Sequence, residues 1–476
     1  MAEIVGENVR PAARKKTQSA PRCVEPRAYG TVMAAGYGQN QRAAIMPQQD
    51  GRQADGPVML KAFWPISVAL CEGRAFGYTP AMTRTSPIRP AIQALEPSGI
   101  TKVTALGLGN SEILPLWLGE TDLVTPPFIR QAAARALEDG RTFYTNARGI
   151  LPLREAISDF HRRTLGVEIG LERITIPGAA MLAVVTALQM CCETADNVVI
   201  VSPIWPNIFQ AAKVIGAEPR LVRLEEDWSK GRWHLDLEKL FRACDARTKA
   251  MFIASPGNPT GWMLTPQEQK SILDFCRRSG IAILADEVYG TLVYDGSTHA
   301  PSFLSIADDE DAVFAINSFS KPWAMTGWRI GWLVHPKCVE GAAAAMAQCN
   351  NTGSTHFAQY GALAALSEEG DVFRGQLLER CRRGREVVED FIKHQNRVRW
   401  MKPDGAFYGF LHVDGLKDSL GFCQQMVKND NVGVSPGWAF SLGDPRDGSY
   451  LRICFAQDEI RLAEALRRLE GAIRKL

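Results

Sequence analysis

Lys321 stands in the run Ser318-Phe319-Ser320-Lys321-Pro322-Trp323-Ala324-Met325-Thr326-Gly327-Trp328-Arg329-Ile330-Gly331-Trp332, directly after the strand-like stretch Ala312-Val313-Phe314-Ala315-Ile316-Asn317. A lysine delivered to the mouth of a buried strand loses solvation, becomes a good nucleophile and can form a Schiff base with an aldehyde. Ser318 and Arg329 flank it closely enough to hold an anion carried by that aldehyde, because Arg offers phosphate a planar fork of donors. The chemistry indicated is capture of a phosphorylated aldehyde, and pyridoxal phosphate meets that description.

That cofactor is an electron sink, and a protein's task is to bind, orient and tune it. Asp286 closes the apolar run Ile281-Ala282-Ile283-Leu284-Ala285. A carboxylate held there would keep the ring nitrogen protonated, although an Asp at a strand end is by itself more often a turn former. Tyr289 and Asn258 are candidates for the ring's phenolic oxygen. Asn258 belongs to Ser255-Pro256-Gly257-Asn258-Pro259-Thr260-Gly261, which doubles as a connector to the capping box Thr265-Pro266-Gln267-Glu268. Trp205 follows another strand and could stack on the ring; alone it reads as core. Pro177-Gly178-Ala179-Ala180 precedes a helix over 181–191, whose free N–H groups and dipole suit a phosphate. Each feature is ordinary alone. Together, after successive strands, they point to one site.

The elements that must position them are strand-like runs at 173–176, 197–201, 250–254, 281–285, 312–317 and 329–334, alternating with helical patterns such as 128–137 and 153–163. Continuous apolar runs of this kind predict a largely parallel sheet covered on both faces, with ligands at the carboxyl ends of its strands. Past residue 356, long charged helices such as 371–394 alternate with strands at 407–413 and 450–455, which predicts a second, smaller α+β domain. The expected division is an N-terminal extension over 1–85, an arm and part of the small domain over 86–127, a large domain over 128–355 and a small domain over 356–476. The fold class is α/β, with a mostly parallel seven-stranded sheet in the large domain.

Composition narrows the function classes. The chain has 476 residues, and its net charge of +2 favours neither nucleic acid nor membrane as a partner. Residues 1–90 nevertheless hold 12 Lys and Arg against 6 Asp and Glu. The first 85 residues are rich in Gln, Gly, Ala, Pro and Arg, and are expected to be disordered or to precede a true start near Met82. Eleven cysteines without a CxxC pair read as reduced thiols in the cytoplasm. Seven histidines show no HExxH spacing, so no metal is expected. The apolar run over 62–71 is too short to span a bilayer.

From about residue 88 to 476 the chain resembles the class I and II aminotransferases, which are fold type I pyridoxal-phosphate enzymes. The matching stretches are Leu118-Gly119-Glu120-Thr121-Asp122, Tyr144-Thr145-Asn146-Ala147-Arg148-Gly149, Asn258-Pro259-Thr260-Gly261, Asp286-Glu287-Val288-Tyr289, the Lys321 segment and Arg452. The resemblance implies that Lys321 forms the Schiff base and moves the substrate proton. It implies that Asp286 pairs with the ring nitrogen, that Tyr289 and Asn258 hold the phenolic oxygen, and that Trp205 covers a ring face. Gly178, Ala179, Ala180, Ser318 and Arg329 would bind phosphate, joined by Tyr144 from a neighbouring subunit of a homodimer. Arg452 would take the substrate α-carboxylate, with Gly119, Trp205 and Asn258 beside it. Ala180 and Met181 stand where relatives often carry a hydroxyl or a lysine, and Thr121 and Leu123 where they carry Pro and Phe.

The implied activity is transfer of an amino group from an L-amino acid to a 2-oxo acid. A C–S lyase or a decarboxylase of the same fold shares the first half of that chemistry. A transcription regulator with an aminotransferase-like sensor domain is a further alternative, disfavoured because the head lacks a helix-turn-helix pattern. Arg148 falls in a loop expected near a partner's site, where it would either read an acidic substrate side chain or lie solvated on the surface.

Overall fold

The computed structural model describes residues 86–476; the sequence head over 1–85, with the extension expected there, lies outside the described residues. Seven strands build the main sheet: β1 Ile174–Gly178, β2 Asn197–Ser202, β3 Glu218–Arg223, β4 Thr248–Ala254, β5 Ala282–Asp286, β6 Val313–Ser318 and β7 Gly331–Val334. Their order across the sheet is β1-β7-β6-β5-β4-β2-β3. All neighbours are parallel except β7, which runs antiparallel to both β1 and β6. Every residue of β1, β2, β5, β6 and β7 is buried, which is why Val, Ile, Leu and Ala fill them without alternation.

Sequence patterning located six of the seven strands. The one it passed over, β3, reads Glu218-Pro219-Arg220-Leu221-Val222-Arg223 and pairs only with β2. An edge strand tolerates Pro and keeps polar side chains because one margin faces water, so its sequence carries little strand signal.

Helices cover the sheet as the periodicity predicts. They include α1 Pro127–Glu138, α2 Leu151–Leu165, α3 Ala180–Cys191 and α4 Pro266–Ser279. The Thr265–Glu268 capping box is formed in both directions at the start of α4, and Gly280 closes that helix at φ +66°. Helix α5, His356–Ala365, packs its Ala358, Ala362 and Ala365 with Ile129 of α1 and Leu153 of α2. That alanine-rich face belongs to the core of the large sheet, so the chain passes to the smaller layer only after it.

The smaller layer has an antiparallel sheet ordered β8-β9-β11-β10, from β8 Val398–Trp400, β9 Tyr408–Val413, β10 Ser435–Pro436 and β11 Tyr450–Cys454. Helices α6 Glu368–Lys393 and α7 Glu459–Ile473 pack on it through Leu377, Cys381, Leu462 and Leu466. Leu114 and Pro115 pair in parallel with Val432 and Gly433. The Cys454 amide donates to Leu116 O at 2.9 Å. This stitching holds Trp117 to Glu120 between the small sheet and the carboxyl ends of β5 and β6.

Candidate active site

A cavity of about 290 Å³ opens at those carboxyl ends. From the large sheet it is lined by Asn258, Asp286, Tyr289, Ser318, Lys321 and Arg329, with Ala180 and Trp205 beside them. From the small layer and its arm come Gly119 and Arg452. Ten of the thirteen residues singled out from sequence therefore meet in one place.

Lys321 follows the end of β6, and its Nζ donates to Gly119 O at 2.6 Å. Burial pulls its ammonium pKa down to about 8; Arg452 and Arg329 push the same way, while Cys454 and Glu120 oppose. Asp286 ends β5 and is 8% exposed. Burial pushes its carboxyl up to about 6, against the Val288 amide, which donates to Oδ1 at 3.3 Å, and the nearby Lys321 charge. Such a buried carboxyl invites a cationic partner, and none is hydrogen-bonded to it among the described residues. A protonated ring nitrogen would complete it.

Arg452 projects from β11 and is 2% exposed. Its NH1 donates to Asn258 Oδ1 at 3.1 Å and its NH2 to Ser435 Oγ at 3.0 Å and to Trp117 O. The Tyr408 and Phe440 rings lie against the guanidinium, 4.7 and 5.2 Å from Cζ to ring centroid. The Nε atom has no partner among the described residues. A buried guanidinium with an unpaired N–H, on a residue that lines the cavity, suits a carboxylate.

At the other end, the Leu182 and Ala183 amides share Ala179 O as the first acceptor of α3. The amides of Ala180 and Met181 before them are the open donors that a helix start presents to an anion. Gly178 takes φ +125°, a backbone conformation that L side chains rarely adopt. Gly178 and Ala179 set the approach to this helix without lining the cavity. The Ser320 amide donates to Ser318 Oγ at 3.0 Å, and Arg329, held at φ +53°, donates from NH1 to Thr326 O at 2.5 Å. Open amides, a hydroxyl and an exposed guanidinium fit a phosphate; the residues present fit pyridoxal phosphate as a whole.

Tyr144 is not brought into this cavity. It is 88% exposed, next to Phe143 at 79%, in a surface groove with Thr352 to Phe357. The expectation that Arg148 lies solvated on the surface fails. The side chain is 7% exposed, its NH1 pairs with Glu340 and its NH2 donates to Leu171 O, away from the cavity. The loop turns inward there because Gly149 at φ +94° packs onto Ile176.

Sequence reading did not single out Ser320, Tyr408 or Ser435. Tyr408 is the most consequential, because its hydroxyl lies 2.6 Å from that of Tyr289. Its position beside Phe407 in an apolar strand disguised it as core. Pairing of Phe410 and Ser435 with Arg452 across the sheet is visible only from the register.

Comparison with known proteins accords with this geometry. The chain is 32% identical over 395 residues to the probable aspartate/prephenate aminotransferase of Aquifex aeolicus, spanning 81% of this chain and 98% of that one. It is 32% identical over 389 residues to aromatic-amino-acid aminotransferase 2 of Thermococcus litoralis, spanning 81% and 97%. The crystal structure of an aminotransferase from Mycobacterium tuberculosis superposes with a TM-score of 0.75 at 27% identity, over 82% of this chain and 100% of that one. Residues 111–469 match the family described as aminotransferase class I and II. The chain belongs to the class I and II aminotransferases, and it is a pyridoxal-phosphate-dependent transaminase.

Proposed function

We propose that Lys321 is the catalytic amine of this transaminase and that Arg452 orients the amino acid for it. When bound, pyridoxal phosphate supplies an aldehyde for that amine and an electron-withdrawing ring that stabilises negative charge at the substrate Cα. Asp286 holds the proton on the ring nitrogen. Tyr289 and Asn258 donate to the phenolic oxygen, and Trp205 covers one face. The open amides at Ala180 and Met181, with Ser318 and Arg329, hold the phosphate, and Gly178 and Ala179 set the approach of the chain to that helix start. Lys321 Nζ, with its pKa near 8, takes the proton from Cα and gives it back on the way to product. The observation that carries this reading is the convergence of Lys321, Asp286 and Arg452 on one cavity.

The amino group passes from an L-amino acid to a 2-oxo acid, a reaction of amino acid metabolism that suits a biosynthetic role. A homodimer with two shared sites is supported by the exposure of Leu108, Val124, Phe143 and Tyr144, apolar or aromatic side chains that a partner would cover. Tyr144 would then reach the partner's phosphate. No helix among the described residues is long and apolar enough to cross a membrane, and the buried Cys276, Cys381, Cys423 and Cys454 are free thiols, which supports a cytoplasmic enzyme.

Subunit mixing tests the reading. Lys321→Ala and Tyr144→Ala homodimers each lose activity, and mixing them after dissociation restores about a quarter of the wild-type rate, because half the dimers regain one intact site. No recovery from fully exchanged subunits would contradict the shared site.

A further inference from the structure

The chain just after Gly119 is tied to the loop carrying Lys321 and Arg329 beside both of that loop's left-handed residues. Ala324 and Arg329 take φ +52° and +53°, a region that residues with a side chain enter at a cost and keep only where their surroundings hold them. The Ala324 carbonyl accepts from Thr125 Oγ1 at 2.6 Å, and the same hydroxyl accepts from Trp328 Nε1 at 3.0 Å. Thr326, whose carbonyl accepts from Arg329 NH1, donates from Oγ1 to Glu120 Oε2 at 3.0 Å. Glu120 is held in turn from the small layer, its carbonyl accepting from Gln457 Nε2 at 2.9 Å and from Cys454 Sγ at 3.3 Å. Asp122, two residues on, is committed to Arg380 at 2.7 and 2.8 Å and to the Asp458 amide at 2.9 Å. The Glu120 carboxylate is spent differently. Among the described residues its hydrogen bond is to Thr326, and it stands close enough to Lys321 for its charge to act on the amine.

On the reading above, on which this inference rests, Arg329 holds the phosphate and Lys321 is the catalytic amine. We propose that Glu120 is a positioning residue for both: its carboxylate fixes the Thr326 turn that aims Arg329, and its charge bears on the Lys321 amine. A hydrogen bond to a carboxylate holds such a turn more firmly than a neutral one. An Arg329 released from it has more side-chain freedom to lose when a phosphate binds. Around Lys321, burial and the Arg452 and Arg329 charges favour the neutral amine, whereas the Cys454 thiol and Glu120 favour the ammonium, and Asp286 lies within reach of the same charge. Loss of the Glu120 charge therefore moves the titration of the amine to lower pH.

The test uses the full-length, cofactor-free enzyme and pyridoxal phosphate. Its dissociation constant is measured at pH 9, where the amine is largely neutral, and its rate of uptake is followed by absorbance across pH. Glu120→Ala and Thr326→Val each raise the dissociation constant about tenfold, and the double variant raises it no further, because both changes remove one hydrogen bond. Glu120→Gln keeps an oxygen that accepts from Thr326, so its dissociation constant stays within about threefold of the wild type. Its uptake midpoint nevertheless moves below the wild-type value of about 8, a split that a merely structural role would not produce. Losses that add in the double variant, or a Glu120→Gln midpoint equal to that of the wild type, would overturn the inference. Arg329→Ala separates it from the reading beneath. If Arg329→Ala binds pyridoxal phosphate as tightly as the wild type, the phosphate assignment falls and takes the inference with it. Weakened binding by Arg329→Ala beside unaltered binding by Glu120→Ala overturns the inference alone.

Discussion

The hydroxyls of Tyr289 and Tyr408 lie 2.6 Å apart, one following the end of β5 and the other on β9 of the small layer. Burial pushes both phenols above the usual tyrosine range, so both stay protonated at physiological pH. One proton joins the pair and the other is free for a second acceptor in the cavity. Gly119 is required beside them because a Cβ there would collide with the Tyr408 hydroxyl. Tyr408→Phe removes the constraint on Tyr289 with little loss of packing. The expected result is a fall in kcat/KM of about tenfold, with a shift in the visible absorption of bound cofactor and an unchanged circular dichroism spectrum. Gly119→Ala, which displaces Tyr408, costs more.

The Lys321 amine governs a pH dependence. Its ammonium form loses its proton near pH 8 rather than at the usual 10.5. Only the neutral amine attacks an aldehyde, so the rate at which cofactor-free enzyme takes up pyridoxal phosphate rises with pH between about 7 and 9 and levels above that. A midpoint near 10 would show that burial does not act on this lysine.

Glu287 lies behind Asp286, where its carboxylate accepts from Ser302 Oγ at 2.9 and 2.8 Å and from the Phe303 amide at 3.2 Å. Burial pushes its pKa from 4.5 up to about 7. Between those values the folded state binds a proton that the unfolded state has released, so stability falls as pH rises, by about 3 kcal/mol at most. Glu287→Gln keeps the hydrogen bonds and removes this titration. In denaturant titrations of cofactor-free enzyme, the stability of the wild type relative to the variant should fall between about pH 4.5 and 7 and level off above that, the Asp286 titration cancelling because both proteins carry it.

Arg148 makes a contrasting prediction. Its guanidinium bonds Glu340 and the Leu171 carbonyl from a buried position. Arg148→Ala therefore lowers stability by about 1–3 kcal/mol, less than a fully buried pair because Glu340 is half exposed. Substrate preference does not change. A switch in preference between acidic and neutral amino acids would restore it as a substrate reader.

The parts legible in the sequence are those in which one local signal and one chemical need coincide. Lys321, Asp286, Asn258 and Trp205 sit after strands whose apolar runs announce themselves, and a parallel sheet brings its carboxyl ends together. Residues set by long-range register were hidden. Tyr408 meets Tyr289 across 119 residues, and Ser435 meets Arg452 only through β10. Arg148 misled because charge predicts exposure, whereas Glu340, which neutralises it, lies 192 residues away. Strand β3 escaped because an edge needs no apolar alternation.

The most direct test of the account is a single turnover without any 2-oxo acid present. Holoenzyme is mixed with an L-amino acid while cofactor absorption and released products are followed. The account predicts one equivalent of 2-oxo acid per active site from the wild type, with the amino group retained on the enzyme, and no release from Lys321→Ala that still binds cofactor. Release of ammonia or carbon dioxide, or undiminished turnover by Lys321→Ala, would contradict it.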